Sequence, residues 1–143
     1  SAQCSALMPM MQFSAAPWRV LSPENAKICK DMATLHSKFG QDILDMAKKS
    51  AKTGEPIVKS LEYLFPEGEY ENIQDQFILG DKIMVAPVLT QGARSREVVF
   101  PKGTWKGDDG STVVGPKTIT INVPLERLPW YEKVQNAKSV ASK

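Results

Sequence analysis

The sequence predicts an α+β chain with its helices first and its strands after, and three observations carry that expectation. Apolar residues recur at helical spacing between Ser22 and Thr53; the spacing vanishes beyond Pro56; and the remainder is rich in Val, Ile, Tyr, Phe and Thr, divided by Gly and Pro. At 143 residues the chain can bury a core of its own but is too short for a complete (β/α)8 barrel, which takes about 250 residues.

The elements follow in order. Ala6 to Phe13 is apolar and methionine-rich but interrupted by Pro9, which suits a buried strand end running into a loop, with Met8, Met10 and Met11 as core filling. Ser22-Pro23-Glu24 supplies an N-cap, a proline at the first helical position and an acid in the first turn. Ile28, Met32, Leu35, Phe39, Ile43 and Met46 then form one apolar stripe. Gly40 lies midway and costs about 1 kcal/mol relative to alanine, so a break is expected there; Gly54 and Pro56 end the helical region. Strands are expected at Ile57 to Phe65, Phe77 to Leu79, Lys82 to Leu89, Glu97 to Phe100, Thr112 to Val114 and Lys117 to Val123. In the last, Ile119, Ile121 and Val123 share one face and Thr118, Thr120 and Asn122 the other. Gly80-Asp81 reads as a turn between strands, Pro101-Lys102-Gly103 as the end of one, and Asp108-Asp109-Gly110 as a hairpin tip. Short strands with turns between them imply a β-sandwich. The divisions are residues 1–55, helical; 56–133, all-β and sandwich-like; and 134–143, a small polar tail expected to be disordered.

Composition excludes several classes. The net charge of +2 arises from 18 basic and 16 acidic residues mixed along the chain, so no nucleic-acid footprint is present and no nucleic-acid partner is expected. No apolar run approaches the ~20 residues of a membrane span. Cys4 and Cys29 lack the close spacing of a metal site; they read as separate buried thiols, with a reactive thiol or a bridge as alternatives. No phosphate-binding loop or dinucleotide fingerprint occurs, and neither a cofactor nor a metal is expected.

Catalytic groups are equally scarce. The one histidine, His36, lies within the helical stretch with no Ser, Cys or Asp at suggestive spacing, and reads as a partly exposed helix residue. Asp42 and Asp45 share a helix face as solvated carboxylates, and Asp75 and Asp81 flank QFILG as turn formers; neither pair has the marks of a glycosidic acid and nucleophile. What remains is Gln12, Phe13, Ser14, Trp18 and Arg19, ahead of the first long helix. Trp can stack on the apolar face of a sugar while Gln, Ser and Arg bond hydroxyls, although ordinary loop packing accounts for the same residues.

Two ordered blocks carry a family resemblance. MPMMQFSAAPWR, residues 8–19, and GEPIVKSLEYLFPEGEYENIQDQFILGDKIMVAPV, residues 54–88, resemble the segments of glycoside hydrolase family 31 where a catalytic barrel ends and a β-domain begins. The resemblance runs from about Leu7 to Tyr131 and is closest to the myogenesis-regulating glycosidase subgroup. It implies the last strand, loop and helices of a (β/α)8 barrel followed by a proximal C-terminal β-sandwich-like domain. It also implies a retaining α-glycosidase whose two aspartates lie outside this chain, so no residue here is assigned as catalytic. Gln12, Ser14, Trp18 and Arg19 become the substrate-contact candidates. Typical α-glucosidases of the family carry Arg-x-His where this chain has Gln12 and Ser14, which turns the expectation toward an α-galactoside or related α-glycoside, in an oligosaccharide or simple glycoside.

The isolated chain is then expected to be inactive, and the resemblance points to a secretory-pathway or extracellular compartment. A noncatalytic β-domain that binds carbohydrate or a partner protein, using Trp105, Trp130 and Tyr131, is the reading from another class. If the apolar stripe from Ile28 to Met46 covers a barrel in the parent, it would be exposed here, and self-association through that face is expected.

Overall fold

The computed structural model describes residues 2–135. The N-terminal third is helical: α1 (Ala2–Ala6), α2 (Pro17–Val20), α3 (Pro23–Lys38) and α4 (Gly40–Thr53). The Ser22 hydroxyl caps α3 by accepting from the Asn25 N–H, with Pro23 and Glu24 in the first turn as the sequence predicts. Phe39, at φ −89° and ψ 3°, is both the end of α3 and the start of α4, so the break falls beside Gly40. Gly54 closes α4 in the left-handed region at φ 75°, a conformation a side chain would resist.

The strands are β1 (Val58–Lys59), β2 (Phe77–Leu79), β3 (Ile83–Val85), β4 (Ser95–Gly107), β5 (Thr112–Asn122) and β6 (Trp130–Val134), with one further helical turn, α5 (Leu61–Leu64). They form one antiparallel sheet in the order β1-β2-β3-β6-β4-β5.

Several expectations are corrected. Residues 7–16 hold no strand: Ala6 and Leu7 are buried under α3, and Pro9 follows where a ladder would need a donor. The stretch from Ile57 to Phe65 is a two-residue strand followed by α5. There Ser60 caps the turn by accepting from the Tyr63 N–H, and local capping overrides the β-propensity of Tyr63 and Phe65. Pro101-Lys102-Gly103 does not end a strand but bulges within β4, where the register to β5 shifts between Phe100 and Gly103 and Gly103 sits at φ 132°. The two short strands expected beyond Asp108-Asp109-Gly110 are one, β5, and the hairpin tip lies where expected. Val134 pairs with Thr104 in β6 rather than opening a tail; residues 136–143 lie outside the described residues.

A single sheet replaces the expected pair because β4 serves both halves. Its stretch from Ser95 pairs with β5, its stretch beyond the bulge pairs with β5 and β6, and a bulge bends the strand that carries it. The fold is then closed by side chains. The Gln76 amide accepts from the Val99 N–H at 2.8 Å and donates to the Val99 carbonyl at 2.9 Å, standing in for a strand partner. Beside it the largely buried Arg96 donates to the Asp75 and Pro87 carbonyls and pairs with the Asp75 carboxylate at 3.0 Å.

Alternation along the short strands divides the interior into two cores. Leu79, Ile83 and Val85 join Met32, Phe39, Ile43 and Leu128 under the helices; Ile78, Met84 and Tyr131 join Leu61, Phe65, Val98, Phe100 and Trp105 on the other face. The stripe from Ile28 to Met46 therefore packs on the sheet of its own chain: Met32, Phe39 and Ile43 are buried, and Ile28, Leu35 and Met46 lie against them. The self-association expected through that stripe loses the exposed surface it required.

Candidate functional site

The segment carrying the candidate contacts is held at both ends. On its N-terminal side, the Gln3 side chain donates to the Leu125 and Arg127 carbonyls, and His36 Nδ1 lies 3.0 Å from the Ala6 carbonyl oxygen, so α1 is tied to both the β5–β6 connection and α3. On its C-terminal side, α2 is one helical turn, with the Leu21 N–H donating to the Pro17 carbonyl and Pro17 itself buried. The buried proline directs the residues after it outward: Trp18 is 77% exposed, and Arg19 is exposed beside it. Gln12 and Ser14, in irregular chain, are exposed as well. None of the side chains of Gln12, Ser14, Trp18 and Arg19 forms a hydrogen bond or ion pair with a described residue. They share one twelve-residue surface segment, residues 8–19, without converging on a cavity wall that the structure defines. Met10, Phe13, Val20 and Leu21, exposed large apolar residues, complete the same surface.

Elsewhere several polar groups are committed to one another. Lys59, buried on β1, donates to Asp81 at 2.6 Å, and Lys49 of α4 reaches the other oxygen of Asp81 at 3.2 Å. The bond from Lys59 is the main cause that holds the Asp81 carboxyl below its ordinary value, with Lys49 adding to it against the cost of burial. Arg127 forks onto both oxygens of Asp108 at 3.0 and 2.9 Å and fastens the β4–β5 hairpin tip to the approach of β6. Asp109 is held low chiefly by the Ser111 hydroxyl, and burial pushes the Tyr131 phenol up. Asp42 and Asp45 are exposed on α4, and Asp75 and Asp81 are ion-paired. Cys4 and Cys29 are free and half-buried, not fully buried as expected. The described residues contain no group of three or more His, Cys, Asp and Glu placed to hold a metal ion, and no helix among them is long and apolar enough to cross a membrane. Sequence reasoning missed the Lys59–Asp81 pair, because 22 residues separate its members and no local pattern joins them.

Of the aromatic residues tied to the β-domain reading, Trp105 and Tyr131 are fully enclosed. Trp105 donates its indole N–H to the Pro101 carbonyl at 2.8 Å, and Tyr131 packs edge-on against Phe100 at 4.7 Å. Trp130 is only half-buried, edge-on to Phe39 at 5.3 Å.

The described residues thus form a bent antiparallel sheet backed by helices and preceded by an exposed polar-aromatic segment. The chain belongs to glycosyl hydrolase family 31: the family's C-terminal domain matches residues 54–136. Among curated relatives it is 33% identical over 125 residues to the myogenesis-regulating glycosidase of Mus musculus, covering 87% of this chain and 18% of that protein. It is 27% identical over 123 residues to alpha-glucosidase 2 of Bacillus thermoamyloliquefaciens, covering 85% and 16%. The fold is similar to that of a Flavobacterium johnsoniae GH31 dextranase complexed with isomaltotriose, with a TM-score of 0.78 at 29% identity over 82% of this chain and 15% of that one. It is also similar to a GH31 alpha-xylosidase from a soil metagenome complexed with xylose, with a TM-score of 0.82 at 26% identity over 95% and 24%. The chain thus spans less than a fifth of the length of these two curated relatives.

Proposed function

We propose that this chain is the C-terminal portion of a retaining α-glycosidase, in which residues 1–55 complete a catalytic barrel and residues 56–133 brace it. The observation that carries the reading is the family match together with four polar or aromatic side chains, Gln12, Ser14, Trp18 and Arg19, left without internal partners on one segment. An exposed tryptophan offers a stacking plane to a pyranose, and the amide, hydroxyl and guanidinium supply donors and acceptors for its hydroxyls. Met10, Phe13, Val20 and Leu21 are the apolar residues an upstream barrel would cover.

In such an enzyme one aspartate attacks the anomeric carbon while a second protonates the leaving oxygen and then activates water; both belong to the part of the enzyme outside this chain. The contribution of these residues is to position the substrate, and Met11, packed against the core under the helices, and the buried Pro17 seat that segment on the domain. Gln12 and Ser14, in place of Arg-x-His, favour an α-galactoside; relatives named alpha-glucosidase and alpha-xylosidase favour an α-glucoside or α-xyloside.

Two measurements test the reading. The purified chain releases no p-nitrophenol from aryl α-glycosides, and turnover by it would overturn the assignment of catalysis to other segments. Residues 8–21 grafted into the mouse relative give a protein whose kcat/KM on p-nitrophenyl α-galactoside and α-glucoside falls about tenfold or more with Trp18→Ala or Gln12→Ala. Unchanged kinetics in both variants would remove these residues from the substrate site.

A further inference from the structure

A cleft of about 630 Å³ opens between α4 and the β1–β2–β3–β6 half of the sheet. Phe39, Met46, Ile57, Ile83 and Trp130 supply its apolar surface, and a mixed set of charged residues surrounds it. Much of that charge is already used: Asp81 holds Lys59 and Lys49, Asp45 accepts from Gln41, and Glu55 accepts from the Tyr63 hydroxyl at 2.6 Å. Four side chains of the same cleft, Lys38, Asp42, Lys82 and Glu132, make no hydrogen bond or ion pair with any described residue. The Trp130 indole N–H has no partner either, and no buried side-chain polar atom is left unpaired among the described residues, so it opens to solvent.

We propose that this cleft binds a neutral saccharide. Its carboxylates (Asp42, Asp45, Glu55, Asp81, Glu132) and its ammoniums (Lys38, Lys49, Lys59, Lys82) nearly balance, so its field selects neither a strong anion nor a strong cation. A ligand must instead satisfy donors and acceptors of both kinds while covering apolar and aromatic surface. A pyranose does both: its C–H face lies on the Trp130 and Phe39 side, and its hydroxyls donate to Asp42 and Glu132 and accept from Lys38, Lys82 and the indole N–H. The volume is in the range of small-molecule sites, about 300–1,000 Å³. The site lies on α4 and the sheet, separate from residues 8–21, and does not depend on the function proposed for that segment.

The test is titration of the uniformly 15N-labelled chain with methyl α-glucoside and with isomaltose, following the indole N–H of Trp130, assigned by comparison with Trp130→Phe. The expected result is a saturable shift with a dissociation constant in the millimolar range. Asp42→Asn combined with Glu132→Gln, both on the exposed rim, weakens binding at least about fivefold, the scale of a lost hydrogen bond, while Trp18→Ala leaves it unchanged. Glucuronate and glucosamine bind no more tightly than the neutral sugars. Absence of saturation in the folded chain, binding indifferent to the rim variants, preference for a charged sugar, or a shift that follows protein concentration without sugar would each overturn the proposal. Binding lost only in Trp18→Ala would overturn it too, while supporting the function proposed for residues 8–21.

Discussion

Trp105 and Trp18 belong to regions that use the same side chain in opposite ways. Trp105 is fully enclosed in the bent sheet, edge-on to Phe65 at 6.2 Å, with its indole N–H given to the carbonyl of Pro101 in the bulge. Trp18 stands 77% exposed on a single helical turn, among Gln12, Ser14 and Arg19, whose side chains also lack internal partners. A side chain whose surface and hydrogen bond are both satisfied by the fold contributes stability and has nothing left to offer a ligand. One that the fold leaves unsatisfied contributes little stability and remains available to whatever approaches it.

That contrast can be broken or sharpened by substitution. Trp105→Ala has the largest expected effect, a loss of about 3–5 kcal/mol in urea unfolding, because it empties the second core and strands the bulge carbonyl. Ile43→Ala, under the helices, costs about 2–4 kcal/mol; a loss near zero would show that the stripe is not seated on the sheet. Gln76→Ala leaves the Val99 N–H and carbonyl without their side-chain partner and costs about 1–3 kcal/mol, with faster hydrogen exchange at the Val99 amide as its local signature.

Smaller still is the effect of pH at Asp81. Its folded carboxyl titrates below the unfolded one, so its pairing stabilises the chain above the unfolded value and is lost as pH falls through the folded value. Asp81→Asn therefore destabilises at neutral pH by no more than about 1 kcal/mol, since Asp81 is half exposed and screened, and the difference from wild type closes in acid. A gap that widened in acid would refute the linkage. Trp18→Ala comes last, with a stability change within about 0.5 kcal/mol. A large loss there would place Trp18 with Trp105 and end the contrast.

Much of the helical third was legible in advance. The cap at Ser22, the break at Gly40 and the stop at Gly54 each arise from residues within a few positions of one another, where backbone geometry and side-chain hydrogen bonds act locally. The β5 alternation is local in the same sense: Thr118 and Thr120 are exposed while Ile119 and Ile121 are half-buried. The β-rich part was legible in content but not in connection. Strand propensity said nothing of the capped turn at Ser60, and β6, Trp130–Val134, was not among the expected strands because what makes it one is pairing with the distant β3 and β4. The segment from Gln12 to Arg19 was identifiable by residue type alone, whereas its exposure depends on Pro17 and α1 being anchored elsewhere. The Trp130 cleft left no local signal, because its lining comes from α3, α4, β1, β3 and β6 and the connections between them.

By itself the sequence determined where helices begin and end, which face of each element is apolar, and the family to which the chain belongs, since these reside in short ordered patterns. Only the tertiary structure decided what the helical stripe meets. Periodicity specifies that a face must be buried but not its partner, and here that partner is the chain's own sheet rather than a barrel. It likewise decided that the strands form one sheet, because whether β4 ends or bends at Pro101-Lys102-Gly103 depends on β6 arriving to pair with its far half and on Gln76 closing over Val99. Those contacts join residues more than twenty positions apart, and their geometry exists only once the chain has folded.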